Sequence, residues 1–437
     1  IGGVIGNSMF YNCSGITSVT IRSSVTTIGN TAFYGCSSLV NVEIPNSVTT
    51  IDYLAFYGCV GITSITIPNS VATLGYEVFK NCSKLISVTV GGVIGDYMFS
   101  DCSSLTNVTI DNSVTTIGKG AFYNCKAITS ITVPNSVTLI GDGAFSGCSS
   151  MESITLPFVG NKEEPASNSE CRYPFGYIFG TKSYTGGSAT RQYYYGYSSS
   201  SKTNVTYYIP TSLKTVMVNR GVIFSGAFGN CNGIKHVTIG DDVKSIDENS
   251  FSYSGVNSVT IGNGVTTIGY RAFQYCGLES ITIPDNVISI DDEAFQNCSK
   301  LTNVTIGNGV TTIGVSAFSN CIWLTSITIG DGVTTIGDYA FANSSSLRSI
   351  TIGNSVTTIG TGAFSSCSVI KSIYYKGTNE EWKNISIESN NSDLTNATCY
   401  YYSETEPTLS ADGAEYDGNY WHYDADGVTP VIWKKEG

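Results

Sequence analysis

Fourteen cysteines carry the first possible chemistry of this sequence, because thiolates bind metals, form disulfides and act as nucleophiles. Twelve of them lie three residues after a recurrent phenylalanine, and Ser254 and Ser344 fill that position in two further copies. There is no C-x-x-C pair, and serine replaces cysteine without disturbing its neighbours. Cys171 and Cys399 lie outside the pattern. We therefore predict a structural column of buried free thiols, formed by Cys13, Cys36, Cys59, Cys82, Cys102, Cys125, Cys148, Cys231, Cys276, Cys298, Cys321 and Cys367.

Other signs of catalysis or cofactor binding are weak. The two histidines, His236 and His422, have no partner at the spacing of a metal site or a catalytic triad. The acid pairs Asp241-Asp242 and Asp291-Asp292 fall in turns, and neither a phosphate-binding loop nor a G-x-S-x-G motif is present. The sequence predicts no enzyme, no metal site and no cofactor.

Threonines form a second pattern, because one recurs between two β-branched residues that alternate as in a strand. If the β-branched residues face inward, the threonines face outward. Such a polar ladder could grip a protein or a glycan, or it could simply be a soluble face that suits a β-strand. The threonines concerned are Thr20, Thr66, Thr109, Thr132, Thr155, Thr238, Thr260, Thr282, Thr305, Thr328 and Thr351. Of these, Thr260, Thr282, Thr305 and Thr328 are the candidate ligand contacts.

A third group of candidates lies in a tyrosine-rich stretch with Ser and Gly neighbours. Tyrosines in that setting resemble adaptable recognition surfaces. The alternative is that they pack on the flank of the repeats, and the sequence leaves both open. The candidate ligand contacts here are Tyr184, Tyr193, Tyr194, Tyr195 and Tyr197.

A repeat of 23 residues positions these side chains. Its landmark phenylalanines run from Phe10 to Phe145 and from Phe228 to Phe364, and nine of their thirteen intervals are 23 residues. Each copy reads L-x-x-I-x-I-x-x-x-V-x-x-I-G-x-x-A-F-x-x-C, which predicts one strand, a turn and a shorter strand. Parallel stacking of such copies gives a β-rich solenoid of about 14–15 coils. The recurrent glycine after the second strand, as in Gly29, Gly118 and Gly337, suggests a bend with positive φ.

The repeats define the organisation of the chain. We predict N-terminal repeats over residues 1–157, a tyrosine-rich insert over 158–212, C-terminal repeats over 213–373, an α+β cap over 374–402, and a linker with a terminal hairpin over 403–437. In the cap, Thr378 to Glu381 forms a capping box for a short helix. The terminal hairpin turns at Asp426-Gly427. Because Ile1 enters in the middle of a repeat, we expect further repeats or another domain before it.

Composition limits the partners. The net charge is −12, from 22 basic and 34 acidic residues, and no cluster of basic residues occurs. Phosphate binding depends on such clusters, so nucleic acid and anionic membranes are not expected partners. No run of 18 apolar residues is present, so we expect no membrane insertion by this segment.

The copies at Leu39–Cys59 and Ile62–Cys82 resemble the BspA-like type of leucine-rich repeat, over about 300 of the 437 residues. This resemblance implies a curved right-handed solenoid with a parallel sheet on its concave face. It also implies a secreted or surface-anchored bacterial protein that adheres to host matrix, mucus or other cells through protein or glycan partners. The resemblance identifies no catalytic or ligand-binding residue in this sequence. The alternative function is a structural spacer that displays another domain away from the cell surface.

Overall fold

The repeat forms coils that each contain a long strand, a turn, a two-residue strand and a turn that carries the landmark phenylalanine. The computed structural model describes residues 1–163, 174–195, 202–410, 416 and 418–434, and of residues 194, 195 and 202 it describes only the backbone. The chain forms a parallel β-solenoid of period near 23, as the sequence predicts, with about sixteen coils instead of the expected 14–15. The chain divides into two compact units, Ile1–Val237 and Thr238–Gly437.

In the first unit, long and short strands alternate along the chain up to β12, except that the long strands β7 and β8 follow each other. The strands are β1 (Ser18–Thr20), β2 (Thr27–Ile28), β3 (Asn41–Glu43), β4 (Thr50–Ile51), β5 (Ser64–Ile67), β6 (Thr73–Leu74), β7 (Ser87–Val90), β8 (Asn107–Ile110), β9 (Thr116–Ile117), β10 (Ser130–Thr132), β11 (Leu139–Ile140), β12 (Ser153–Leu156), β13 (Gly187–Tyr195), β14 (Lys202–Pro210) and β15 (Thr215–Ile223), with a 3-10 helix at Phe175–Phe179.

The second unit continues the alternation. Its elements are β16 (His236–Ile246, which spans the division), β17 (Ser258–Thr260), β18 (Thr267–Ile268), β19 (Ser280–Ile283), β20 (Ser289–Ile290), β21 (Asn303–Ile306), β22 (Thr312–Ile313), β23 (Ser326–Ile329), β24 (Thr335–Ile336), β25 (Ser349–Ile352), β26 (Thr358–Ile359), β27 (Ser372–Tyr375), α1 (Asn379–Lys383), β28 (Ser386–Ile387), α2 (Ser392–Thr395), β29 (Thr398–Tyr402), β30 (Tyr420–Tyr423) and β31 (Pro430–Ile432).

Strands of successive coils pair in parallel and in register. In β21 the buried Val304 and Ile306 alternate with the exposed Asn303 and Thr305. The register places Thr305 beside Thr328 of β23. The short strands pair in the same way, with Ile313 of β22 beside Ile336 of β24. Because the repeat length is nearly constant, each side-chain type forms a column that runs along the unit.

The landmark phenylalanines form the central column of the core. Phe318 is fully buried and stacks on Phe295 and Phe341, with ring centroids 4.8 and 5.4 Å away. The rings are nearly parallel because the coils repeat by translation. In the first unit Phe56 stacks in the same way, at 5.1 Å from both Phe33 and Phe79.

Tight bends around each landmark phenylalanine use left-handed backbone, at the positions two before and two after it. Around Phe341 these residues are Tyr339 at φ 55° and Asn343 at φ 61°. Asparagine is frequent at the second position because it tolerates this conformation better than most residues.

The glycines after the short strands do not need positive φ, so that prediction for Gly29, Gly118 and Gly337 was wrong. They are required for close packing instead. A Cβ on Gly118 would lie 2.5 Å from the backbone nitrogen of Asp96, and one on Gly337 would lie 2.8 Å from the carbonyl carbon of Gly314. The previous coil therefore leaves no room for a side chain.

Part of the segment predicted as an insert completes a coil. The backbone N–H of Phe145 donates to the carbonyl of Ile178 at 2.8 Å, which repeats the bond from Phe122 to Ala144. Phe175 donates in turn to Ala227 at 2.8 Å. The segment then leaves the coil as an antiparallel hairpin of β13 and β14. Residues 164–173 and 196–201 lie outside the described part of the chain.

The C-terminal elements extend the long-strand sheet. The predicted capping box is confirmed, since Thr378 and Glu381 bond to each other's backbone N–H at the start of α1. β29 pairs in parallel with β27, and β30 pairs in parallel with β29. The predicted terminal hairpin is also confirmed, as β30 and β31 pair antiparallel around Asp426-Gly427.

Candidate functional site

The outward side of the long strands, which we call the threonine face, is arranged as the alternation predicts. In the second unit Thr282, Thr305, Thr328 and Thr351 are adjacent in register on β19, β21, β23 and β25. Within each strand, the residues on either side of the threonine point inward; Ile281, for example, is 3 % exposed. The parallel sheet thus presents hydroxyl and methyl groups at the spacing of its strands, about 4.8 Å.

A trough of about 590 Å³ lies on this face. Thr260, Thr282 and Thr305 line it, together with Asn263 and Asp285 at its edge. Thr328 is the next threonine in the register and is half-buried. The four threonines predicted as ligand contacts are therefore neighbours in the structure.

The threonine face of the second unit ends in aromatic side chains that the sequence analysis did not recognise as a group. Thr351 is only 5 % exposed and lies in register beside Tyr374, so it does not present an open hydroxyl as expected. Tyr374 stacks on Tyr400 at 5.8 Å. Tyr402 contacts the buried Trp421 edge to face at 5.1 Å and is itself 37 % exposed. The signal was available, because Tyr374 and Tyr400 occupy the threonine position in their strands.

Two of the insert tyrosines pack inward. Tyr193 is 9 % exposed and its ring lies against Gly226, where a Cβ would be 2.6 Å away. The Tyr184 hydroxyl donates to the carbonyl of Tyr208 at 2.9 Å, and burial raises the pKa of Tyr184. These contacts favour the packing alternative for both residues. Tyr194 and Tyr195 belong to β13, where their side chains are not described, and Tyr197 lies outside the described residues.

The described cysteines, including those of the predicted thiol column, are free thiols in the structure. Cys36 to Cys148 and Cys231 to Cys367 are buried, whereas Cys13 and Cys399 are half-buried. Most column thiols donate to the carbonyl of a landmark phenylalanine in a preceding coil, as from Cys125 to Phe99 at 3.1 Å. Burial raises the pKa of Cys148 and Cys321 to about 12, so these thiols are protonated at neutral pH. Cys171 lies outside the described residues.

The described residues hold no group of three or more His, Cys, Asp or Glu that could bind a metal ion. His236 is exposed on its strand. His422 bonds through Nδ1 to the carbonyl of Tyr423 at 2.7 Å and packs on Trp433 at 4.2 Å. Among the residues that the structure describes, neither histidine has the neighbours of a catalytic triad.

Two other surface features of the first unit escaped the sequence analysis. Tyr11, Tyr34 and Tyr57 form a stack with centroids 4.9 and 4.7 Å apart, one residue after successive landmark phenylalanines. A cavity of about 350 Å³ lies further along the same edge, near Tyr97 and Lys119. Comparing equivalent positions of successive coils would have revealed both.

The repeat itself decides the family. A model of the BspA type leucine-rich repeat region matches residues 3–93, 92–164, 221–347 and 266–395, which is well over half of the chain. The chain belongs to the BspA type leucine-rich repeat family. Repeat regions of this type are interaction scaffolds, typically without enzymatic activity.

Solved structures of leucine-rich repeat proteins match the chain as well. A leucine-rich cell surface protein from Faecalibacterium prausnitzii A2-165 is 29% identical, with 88% of this chain and 86% of that chain covered and a TM-score of 0.34. A leucine-rich repeat protein from Bacteroides ovatus ATCC 8483 is 22% identical, with 83% and 92% covered and a TM-score of 0.33. No curated protein matches the chain. Within the described residues, no helix is long and apolar enough to cross a membrane.

Proposed function

We propose that this protein is a non-enzymatic, cell-surface or secreted scaffold that mediates adhesion by binding a protein or glycan of host matrix, mucus or neighbouring cells. One observation carries the proposal: the outward positions of the long strands in the second unit stay in register from Thr282 through the buried Thr351 to Tyr374 and Tyr400. Six neighbouring strands on one face, β19 to β29, span roughly 24 Å. A face of that length suits an extended partner better than a small metabolite.

The chemistry of the threonine face supports binding rather than catalysis. Threonine hydroxyls both donate and accept hydrogen bonds, and their methyl groups offer apolar contact. The tyrosines at one end supply large amphipathic rings of the kind that contributes most to binding energy in interfaces. Asp285 lines the trough and Asp331 is paired with Lys376 at 3.1 Å, whereas the threonines of the face are uncharged.

Arginine substitutions in the trough test this proposal. We expect Thr282→Arg combined with Thr305→Arg to block the trough with two long charged side chains and weaken binding by at least about tenfold. The measurement is biolayer interferometry of the whole chain against immobilised matrix proteins, mucin and a glycan array. The first step is to find a ligand that binds the unmodified chain saturably.

The matched control is Thr312→Arg combined with Thr334→Arg. Both threonines are exposed, but they lie on or beside the short strands rather than on the threonine face. Equal loss of binding in both double variants would contradict the assignment to this face. If no ligand binds saturably at any concentration reached, the spacer function becomes the better explanation.

A further inference from the structure

A polar cavity, which we call the flank cavity, lies at the edge of the first unit. It encloses about 350 Å³ and is bounded by turns around Phe79, Phe99, Phe122 and Phe145 and by residues 180–182 of the insert. None of its lining residues belongs to a long or short strand. It is therefore separate from the threonine face, and no part of the proposed function depends on it.

The cavity lies where two successive coils have glycine at a position that holds a larger side chain in the coils before them. The left-handed position two residues before each landmark phenylalanine holds Glu77 and Tyr97 in two coils and then Gly120 and Gly143 in the next two. The Tyr97 ring lies across Gly120, where a Cβ would be 2.4 Å from the ring. On the far side, Gly180 of the insert approaches Gly143 so closely that a Cβ on Gly180 would lie 3.2 Å from the Gly143 Cα. The insert thus forms one wall and the tyrosine ring another.

The charged groups that line the cavity balance each other. Its three lysines are Lys80, Lys119 and Lys182, and its three acids are Glu77, Asp101 and Asp142. Lys80 is paired with Glu77 at 2.7 Å, whereas Lys119 and Asp142 are 4.0 Å apart and about half exposed. Lys182 has no ion pair among the described residues. Asp101 accepts hydrogen bonds from Asn124 at 2.9 Å and from Ser100 at 2.8 Å. The widely spaced Lys119–Asp142 pair and the exposed Lys182 therefore keep unused hydrogen-bonding capacity, as donors on the lysines and as an acceptor on Asp142.

This lining selects for hydroxyl groups. A lysine ammonium only donates hydrogen bonds and a carboxylate only accepts them, whereas a hydroxyl does both. An anionic or cationic ligand would meet a like charge within the cavity, while a neutral polyhydroxylated ligand would satisfy both kinds of group. The half-buried ring of Tyr97, which lies against Gly120 and has the Lys80 ammonium 5.9 Å from its centroid, adds an aromatic surface for C–H groups. A volume of this size lies at the lower end of small-ligand pockets, which start at about 300 Å³.

We propose that the flank cavity binds a neutral sugar unit of a glycan. Tyr97 stacks on the C–H face of the sugar ring, Asp142 accepts hydrogen bonds from its hydroxyls, and Lys119 and Lys182 donate to them. The insert takes part by holding Lys182 over the site.

The test compares two equivalent tyrosines. Tyr339 lies at the same position of its coil as Tyr97, with φ 55° against 51°, and its ring also covers a glycine of the next coil, Gly362. We expect the whole chain to bind maltose, cellobiose, lactose or mannobiose saturably in calorimetric titrations. Tyr97→Ala should weaken that binding by about tenfold, whereas Tyr339→Ala should leave it unchanged.

Several results would overturn the proposal. One is that none of the four disaccharides binds saturably. Another is that the two tyrosine variants weaken binding equally. A third is that glucuronate or glucosamine binds and the neutral sugars do not. If Tyr97→Ala disturbs folding by circular dichroism, Asp142→Asn and Lys119→Met replace it, since both side chains are about half exposed. The variant with Thr282→Arg and Thr305→Arg should keep its sugar affinity, so failure of the threonine face and failure of the flank cavity are distinguishable.

Discussion

Most thiols of the column combine packing with a hydrogen bond that links coils. The Cys298 Sγ–H donates to the carbonyl of Phe273 at 3.0 Å, and the Ser344 hydroxyl makes the equivalent bond to Phe318 at 3.4 Å. Serine can therefore replace cysteine at this position, because both side chains fill a small buried space and donate one hydrogen bond. The sequence predicted the column because serine at two of these positions argues against metal binding and disulfides.

At the same scale, the sequence could not show why its glycines are required. Gly118 and Gly120 are two residues apart, yet Gly118 avoids the backbone of the previous coil whereas Gly120 has φ 56°. Close packing against the previous coil and a positive φ both require glycine, so the sequence does not distinguish them. Only the position of the neighbouring coil separates them.

The buried thiols predict a loss of stability at alkaline pH. Burial raises the pKa of Cys321 from its usual 9.0 to about 12. A thiol that ionises more readily after unfolding contributes its full stability below about pH 9 and loses it as the pH rises towards 12. Each such thiol lowers the free energy of unfolding by about 1.4 kcal/mol per pH unit in that range. We expect the apparent Tm to fall steeply between about pH 8.5 and 10.5.

Cys321→Ser provides the matched control for this expectation, because it keeps a donor in the same place and removes the titration. Its free energy of unfolding should fall less steeply with pH than that of the unmodified chain. A Tm that does not change over this range, or equal slopes for both proteins, would show that the thiols do not control alkaline stability.

Among the elements, those predicted from local signals were found where expected. The capping box at Thr378, the terminal hairpin at Asp426-Gly427 and the alternating strands depend on residues close together in sequence. The packing of the insert depends on distant residues. Gln192 of β13 is 1 % exposed and donates to the carbonyl of Ala227 at 2.7 Å, which no local pattern indicates.

The phenylalanine column makes the strongest prediction about elements. Phe318 is fully buried between two stacked rings, so Phe318→Ala should lower the free energy of unfolding by about 3–5 kcal/mol through the cavity it leaves. Phe318→Leu, which keeps most of the volume, should cost roughly 1–2 kcal/mol. Urea denaturation followed by circular dichroism measures both. An alanine variant as stable as the leucine variant would mean that the neighbouring coils collapse into the space.

For the whole molecule, repetition made the fold predictable from the sequence, but it made the candidate binding surfaces hard to recognise. Fourteen landmark phenylalanines at nearly constant spacing define the coils without any knowledge of long-range contacts. The repeat varies at the aromatic end of the threonine face, at Tyr374 and Tyr400, and in the flank cavity, at Gly120 and Gly143. Their residues come from different coils, so they can be recognised only when equivalent positions of successive coils are compared.

The same repetition predicts that a defect stays local. Each coil of a solenoid contacts mainly its neighbours, so its stability is a sum of coil and interface contributions. In Phe318→Leu, amide hydrogen exchange should become faster in peptides that contain Phe295, Phe318 and Phe341 and remain unchanged in peptides that cover β5 to β8. Mass spectrometry under native conditions resolves these peptides, and Phe79→Leu in the first unit should give the reverse pattern. Equal acceleration throughout both units would show that the chain opens as one cooperative body.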